Sequence, residues 1–435
     1  MSSAGASDLR ATALTGRARR RLARRHRAEK RFRAYGFGAI AIALGILMLL
    51  FASIVIGGWG AFFRSEATLE IRFDAERIDP DGLRKPDVLA TGDYGGLVRD
   101  ALERLFPDVA GRRAKRALRR LMSRGAAYDL QKRVLDNPAL IGQSASIPLP
   151  LSDEADLYVK GRISPDLPET ERTLSDRQIA WLDALRERGR IHTGFNPGFF
   201  SSGDSREPEL AGIGGALVGS LMTLFVALIL CFPLGVAAAV YLEELAPETR
   251  WTRLVEVNIN NLAAVPSVIF GVLGLAIFLG TFGLPRSAPL VGGLVLSLRT
   301  LPIIIIASRA SLAAVPPSIR SAAMAIGASP IQVVAHHVVP NALPGILTGT
   351  IIGMAQALGE TAPLLMIGMV AFVVDIPTGI TDPATVLPVQ IYLWADSPER
   401  AFVEKTAGAI IVLLAFLVSM NGTAVWLRQR FEKRT

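Results

Sequence analysis

Long stretches without charged side chains recur along this chain, and a helix needs about 20 apolar residues to cross a bilayer. Tyr35 to Phe63 is the first stretch, bounded by Arg33 and Arg64; Leu210 to Leu242 is the second, and Val257 to Pro285 holds the third. The fourth, Ser287 to about Ala314, is interrupted by Arg299 and Arg309; the fifth, about Leu343 to Val374, by Glu360; Thr406 to Leu427 is the sixth. With 51% hydrophobic residues and a mean hydropathy of +0.39, the chain is more apolar than a soluble chain of ordinary charge content. The pattern predicts an all-α polytopic membrane protein with six transmembrane helices.

The net charge of +9 and pI of about 10.0 leave nucleic acid and an anionic membrane surface as partners. Their distribution favours the membrane. Basic residues crowd between Arg10 and Arg33, against the first apolar stretch, which is the positive-inside pattern and places the N-terminus in the cytoplasm. No aromatic or fold signature for nucleic acid accompanies the arginines, so no nucleic-acid partner is expected. Six crossings return the C-terminus to the same side, where Arg428, Arg430, Lys433 and Arg434 obey the same rule. The first stretch is about twice the length of a signal-peptide core and reads as a retained anchor. Cys231 is the single cysteine, which excludes an intramolecular disulfide and a thiolate metal cluster.

These expectations divide the chain into a basic cytoplasmic segment (1–34), a first span (35–63), a soluble extracytoplasmic α+β insert (64–208), a core with five further spans (209–427) and a cytoplasmic tail (428–435). In the insert, Leu69, Ile71 and Phe73 alternate with Glu70 and Arg72 as in a strand. Helical spacing follows in Leu97, Ala101, Leu102 and Leu105, and again in Ala114, Ala117, Leu118 and Leu121. Ser175 and Gln178 form a capping-box pair ahead of Ile179, Leu182 and Leu185. The insert shows no metal cluster, nucleophile grouping or glycine-rich phosphate loop. His192 and the arginine-dense Arg112 to Arg124 read as surface.

Between the fourth and fifth stretches lies a segment expected in the cytoplasm. Pro316-Pro317 stops the membrane helix, and Ser318 to Ile326 suits a short helix with Ala322, Ala323 and Ile326 on one face. Gly327 ends it in a left-handed turn, and Ser329-Pro330 restarts a helix through His336. The product is two short helices bent at a glycine. This segment resembles the coupling loop of ABC importer permeases, whose pattern is Glu-Ala-Ala, three residues, Gly, nine residues, then Ile-x-Leu-Pro. Ser321-Ala322-Ala323 takes the first triplet, Gly327 the glycine and His337-Val338-Val339-Pro340 the end. Ser321 replaces the acidic residue and His337 the isoleucine, so a salt bridge from the first position is absent.

From about Phe199 through Val374 the chain is similar to the A-type permeases of phosphate-specific ABC importers, in the branch bearing an insert. The resemblance rests on Glu207 to Gly212, Val257 to Pro266, and above all Gly359-Glu360-Thr361-Ala362-Pro363-Leu364-Leu365. It implies a bacterial inner-membrane permease with a companion permease of similar fold, a dimeric ATP-binding subunit, an extracytoplasmic phosphate-binding protein and inorganic phosphate as cargo. ATP would be used by the partner, for no lysine here follows a glycine as a Walker A loop requires. No catalytic residue, metal or bound cofactor is expected in this chain.

Charges near the middle of a span are costly and normally face an interior or a pathway. Arg299 and Glu360 are therefore expected to point inward at similar depth. A forked guanidinium suits phosphate oxygens and could exchange Glu360 for substrate, with Thr361 adding a hydroxyl and Pro363 a break. A static pair holding two helices together is the competing account. Arg309 lies nearer the cytoplasmic end, where snorkelling and a pathway role compete, and Gln356 reads as a packing hydrogen bond. Adjacent His336 and His337 lack the carboxylate partners of a metal site. Two other functions remain open: import of a different oxyanion or small solute, and a membrane-anchored sensor acting through the insert.

Overall fold

The computed structural model describes residues 4–370 and 372–432, with side chains described from 24 to 430 apart from 371. The side chains before residue 24, including Arg10, Arg17, Arg19, Arg20 and Arg21 of the basic run, lie outside that range, as do Lys433 and Arg434. A single helix, α1, runs Ala4–Gly58, so the basic segment is already helical ahead of the first apolar stretch.

The insert begins directly after α1. Its centre is β1 (Phe63–Arg72), followed by helices α2 (Tyr94–Leu105), α3 (Arg112–Arg119) and α4 (Gly125–Asp136). Next come β2 (Ser144–Pro150), α5 (Asp153–Val159), α6 (Asp176–Glu187) and β3 (Ile191–Phe195). The three strands form an antiparallel sheet of order β2-β1-β3, with Leu69 opposite Ile147 and Ala67 opposite both Leu149 and Ile191. Ala67, Leu69, Ile71 and Phe73 are buried as the alternation predicts. The helices cover them with Leu97, Leu102, Leu118, Leu130, Leu182 and Leu185. Ser175 and Gln178 close the capping box at α6, an arrangement that contributes about 1 kcal/mol. Ala401, the first residue of the last helix, joins this same core.

The helical core follows: α7 (Gly214–Val240), α8 (Arg250–Ala263), α9 (Ser267–Gly274) and α10 (Pro289–Ala313). Then come α11 (Pro317–Ala325), α12 (Pro330–Val333), α13 (Val339–Leu358), α14 (Ala362–Met366), α15 (Leu387–Ala395) and α16 (Ala401–Glu432). Among the described residues, five helices are long and apolar enough to cross a membrane, or six if one bent pair counts as a span.

That pair corrects the third expected span. Val257 to Pro285 is not one rod: α8 and the helix beginning at Ser267 meet at 101°. Pro266 has no N–H for a helical bond and disfavours helical geometry at Val265, so the chain must turn. The bend lays α9 on α14, and Gly271 permits the contact: a Cβ there would come 2.7 Å from Pro363 Cα.

The fifth stretch is also divided. Its helix ends at Leu358, and Gly359-Glu360-Thr361 form a break before α14, just ahead of Pro363, where a break was expected. Pro363 cannot donate to the Gly359 carbonyl, which removes the bond that would carry the helix through. Glu360 therefore sits at a broken helix end, not mid-helix. At the other end, α16 continues through Arg428 to Glu432, so the expected tail begins as helix.

α7, α10 and α13 pack through small residues. Along α13, Gly345, Gly349 and Gly353 recur every fourth position, one face of a helix. A Cβ on them would lie 2.4 Å from Ser311 Oγ, 2.2 Å from Ala307 Cβ and 2.9 Å from Thr300 Cγ2 respectively, all on α10. Gly293 of α10 presses similarly on Val226 of α7, where a Cβ would lie 2.5 Å away.

Candidate transport pathway and coupling surface

The glycine stripe of α13 sets the spacing that matters for function. Because it draws α13 against α10, the broken end at Glu360 comes beside Arg299, and Arg299 Nη2 lies 2.7 Å from Glu360 Oε1. Both side chains are largely shielded, at 22% and 16% exposed. Each charge would cost about 2.5–3.5 kcal/mol alone at the centre of a membrane helix, so pairing is the expected response. The pair is incomplete, since Arg299 Nη1 is buried without a hydrogen-bond partner. A buried donor with nothing to bond is costly, and here it belongs to a group that binds oxyanions with two parallel N–H bonds.

Thr361 stands next to the pair at the start of α14. Its carbonyl accepts from Leu364 and Leu365 N–H at 3.1 and 2.9 Å, and its side chain makes no cap bond. Gln356 is exposed on α13 and faces a groove between α13 and α16 that also includes Asn421 and Arg428.

Arg309 does not join this pair. It donates through Nε to Glu243 Oε2 at 3.1 Å and through Nη2 to Glu256 Oε1 at 2.9 Å, tying together α10, α8 and a π turn at Tyr241–Leu245 that ends α7. This bridge gives Arg309 two carboxylate partners that neither the snorkelling nor the pathway expectation had included.

Sequence reasoning missed Arg320. It forks onto Glu244, with Nε 3.1 Å from Oε2 and Nη2 2.5 Å from Oε1, and donates to the carbonyls of Val315 and Leu312 at 2.7 and 3.0 Å. The hydrogen bond to Glu244 raises the Arg320 pKa further above its ordinary value. Adjacent carboxylates at Glu243-Glu244, ending an apolar run, were the one hint in the sequence.

The bent segment forms as expected at its centre. Gly327 has φ +94°, a left-handed value that glycine adopts without strain, and Ser329 caps the next helix in a box with Gln332. Two details differ. Ala322, Ala323 and Ile326 do not all share one face: Ala323 is buried, while Ala322 is exposed and Ile326, past the last turn of α11, is 82% exposed. Nor does Pro340 close the segment. The helix from Pro330 runs on through a π turn, in which Val339 N–H bonds Val334 five residues back, and into α13. The wider turn accommodates the N–H that Pro340 lacks. Ser321 bonds the Pro317 carbonyl at 3.2 Å and carries no ion pair, as expected. The outward surface of the bend is apolar, with Met324 53%, Ile326 82% and Ile331 70% exposed.

At the opposite end of α7, the insert is fastened to α16. Lys160 Nζ meets Asp156 Oδ2 at 2.7 Å, Glu404 Oε1 at 2.9 Å and the Gly60 carbonyl at 2.9 Å. Gly60 leaves the space Glu404 occupies, since a Cβ would sit 2.6 Å from its carboxylate. Lys405, also buried, donates to the Ala211 carbonyl at 3.1 Å and lies over the Phe199 ring. No group of three or more histidine, cysteine or acidic side chains suited to a metal occurs among the described residues.

Residues 231–434 match the family of binding-protein-dependent transport system inner membrane components, and residues 19–169 match a domain of unknown function, DUF3333. The phosphate transport system permease protein PstA 1 of Mycobacterium tuberculosis is 32% identical over 222 residues, covering 51% of this chain and 72% of the relative. PstA of Haemophilus influenzae is 30% identical over 214 residues, covering 49% and 74%. The chain belongs to this permease family. The permease is thus a multi-pass inner-membrane protein. Among solved structures, an inward-facing MetNI methionine ABC transporter matches 50% of the permease and 95% of its own chain at 20% identity, with a TM-score of 0.40.

Proposed function

We propose that this permease is the A-type subunit of an ATP-driven phosphate importer and forms half of its translocation pathway. The observation that carries the reading is the Arg299–Glu360 pair, which presents a guanidinium inside the transport core with Nη1 unpartnered beside a helix break. Phosphate supplies the paired oxygens that such a fork lacks, and Glu360 holds the charge neutral between passages. Thr361, adjacent to the pair, adds a hydroxyl to the path. The names carried by the mycobacterial and Haemophilus relatives point to the same cargo.

The drive comes from outside the chain. A dimeric ATP-binding subunit docks on the bend formed by Ser321, Ala322, Ala323 and Gly327, where Met324, Ile326 and Ile331 offer an exposed apolar surface on the cytoplasmic side. A second permease of similar fold completes the pathway, and a phosphate-binding protein delivers the anion on the side of the insert. Both termini are cytoplasmic, and the chain itself holds no cofactor.

The test is co-purification of the tagged permease followed by ATP turnover of the assembly. The reading expects an ATP-binding subunit and a second permease in the complex, and turnover that rises when phosphate-loaded binding protein is added. Stimulation by sulfate or molybdate but not by phosphate would shift the reading to another oxyanion.

A further inference from the structure

We infer that Arg320 is a positioning residue for energy coupling: it locks α11 to the ends of α7 and α10, so that movement of α11 reaches the helix carrying Arg299. The inference rests on the function proposed above and adds the route by which the docking surface acts on the pathway.

Three observations carry it. First, Arg320 spends its donors on four acceptors across two other elements: both carboxylate oxygens of Glu244 beyond α7, and the Leu312 and Val315 carbonyls at the end of α10. Glu244 is only 8% exposed, so water cannot readily replace the fork. Second, the neighbouring carboxylate, Glu243, is held by Arg309 of α10, which also holds Glu256 of α8. Two adjacent acidic residues thus take two arginines and gather four helices at one point. Third, α11 is seated on its inner side by Ala323 against a core that includes Leu312, Val333 and Val338, while Met324 and Ile326 face outward. A push on the outer side has a polar joint and an apolar seat behind it.

From that joint the route to the pathway is short. Arg309 and Arg299 share α10, ten residues and about 15 Å apart along the axis. The helix between them is continuous despite Pro302. Packed helices with two discrete arrangements carry coupling in this way.

The test uses the complete assembly in proteoliposomes and compares Arg320→Glu, Glu244→Arg, the double swap and Arg320→Lys. Each single reversal is expected to lower phosphate taken up per ATP hydrolysed by at least about fivefold, the small end of measured coupling effects. Co-purification with the ATP-binding subunit should persist, and the swap should recover most of the loss. Arg320→Lys keeps the charge but not the fork and should fall between; it also decides the matter if the reversals do not assemble. Unchanged uptake per ATP in Arg320→Lys and the reversals, or a swap that recovers nothing, would overturn the inference. A wild-type assembly that hydrolyses ATP without responding to phosphate would count against the cargo alone. The ATP-dependent change in thiol labelling of Gln356→Cys, which needs no transported solute, then reads the same variants.

Discussion

Two ion clusters, one where the insert meets the transport core and one inside that core, differ in how completely their donors are used. Where the insert meets α16, Lys160 places its ammonium against Asp156, Glu404 and a backbone carbonyl, which uses all three of its donors. Between α10 and the break after α13, Arg299 reaches Glu360 with one arm and leaves Nη1 with no partner. Burying charge is costly in both places. An ammonium with every donor used recovers that cost by holding parts together, even though Glu404 Oε2 makes no hydrogen bond and only approaches Arg162 Nε at 3.6 Å, whereas a guanidinium with Nη1 unpartnered keeps a donor open for something that arrives. The first acts as a fastener, and the second is the place proposed for the anion.

The sharpest way to break this contrast is to remove Glu404. Glu404→Ala leaves Lys160 with Asp156 and the Gly60 carbonyl but without its tie to α16, at a junction where the Lys160 and Glu404 side chains are only 11% and 9% exposed; because Asp156 remains, the loss should fall at or below the low end of the about 3–5 kcal/mol for breaking a buried pair. Thermal unfolding in detergent should show the insert loosening well before the core, and limited proteolysis should cut first within residues 64–208. A variant as stable as the wild type would mean that the cluster fastens nothing.

A smaller effect should come from the spacing that creates the second cluster. Gly349→Leu drives a side chain into Ala307, and overpacking of this kind costs about 1–3 kcal/mol. By separating α13 from α10 it should also pull Glu360 from Arg299, so uptake should fall while the insert keeps its unfolding temperature. Equal damage to both regions would erase the distinction between them.

The smallest effect concerns Glu209, on the membrane side of the insert. Burial raises its pKa above the ordinary carboxylate range, and its Oε2 has no partner. A carboxyl with a raised folded pKa stabilises fully below its unfolded value of about 4.3, and that contribution is lost as pH rises through the folded value. Glu209→Gln should therefore raise the unfolding temperature by about 2 °C at pH 8 and leave it unchanged at pH 4. A rise at pH 4 but not at pH 8 would contradict that sign.

How much of this was legible in the sequence depends on the range of the forces involved. The apolar stretches, the strand through Leu69 and Ile71, the Ser175 box and the turn at Gly327 are set by neighbours a few residues away, and all appear in the structure. The break at Pro363 was expected, but the bend at Pro266 was not, because hydropathy counts apolar residues without asking whether the backbone bonds continue. Pro266 was in view, and its missing N–H group was sufficient signal. The arginine joints were barely legible beyond the hint of adjacent Glu243 and Glu244: Arg309 pairs across 66 and 53 residues and Arg320 across 76, distances at which only the packed helices choose the partner. For Arg299 and Glu360 the cost of a lone charge narrowed the choice, and the pairing was foreseen. The Gly345, Gly349 and Gly353 repeat that brings them together was readable but went unread.

The central claim is that Arg299 touches the transported anion, and uptake of labelled phosphate by proteoliposomes containing the complete assembly tests it most directly. Arg299→Gln keeps a polar, though shorter, side chain and removes the charged fork, which forfeits about 1.5–3 kcal/mol of charge-assisted bonding. The account expects uptake to fall roughly ten- to hundredfold with the complex still assembled and still bound to ATP. Uptake equal to the wild type would contradict it and leave the pair as no more than a link between two helices.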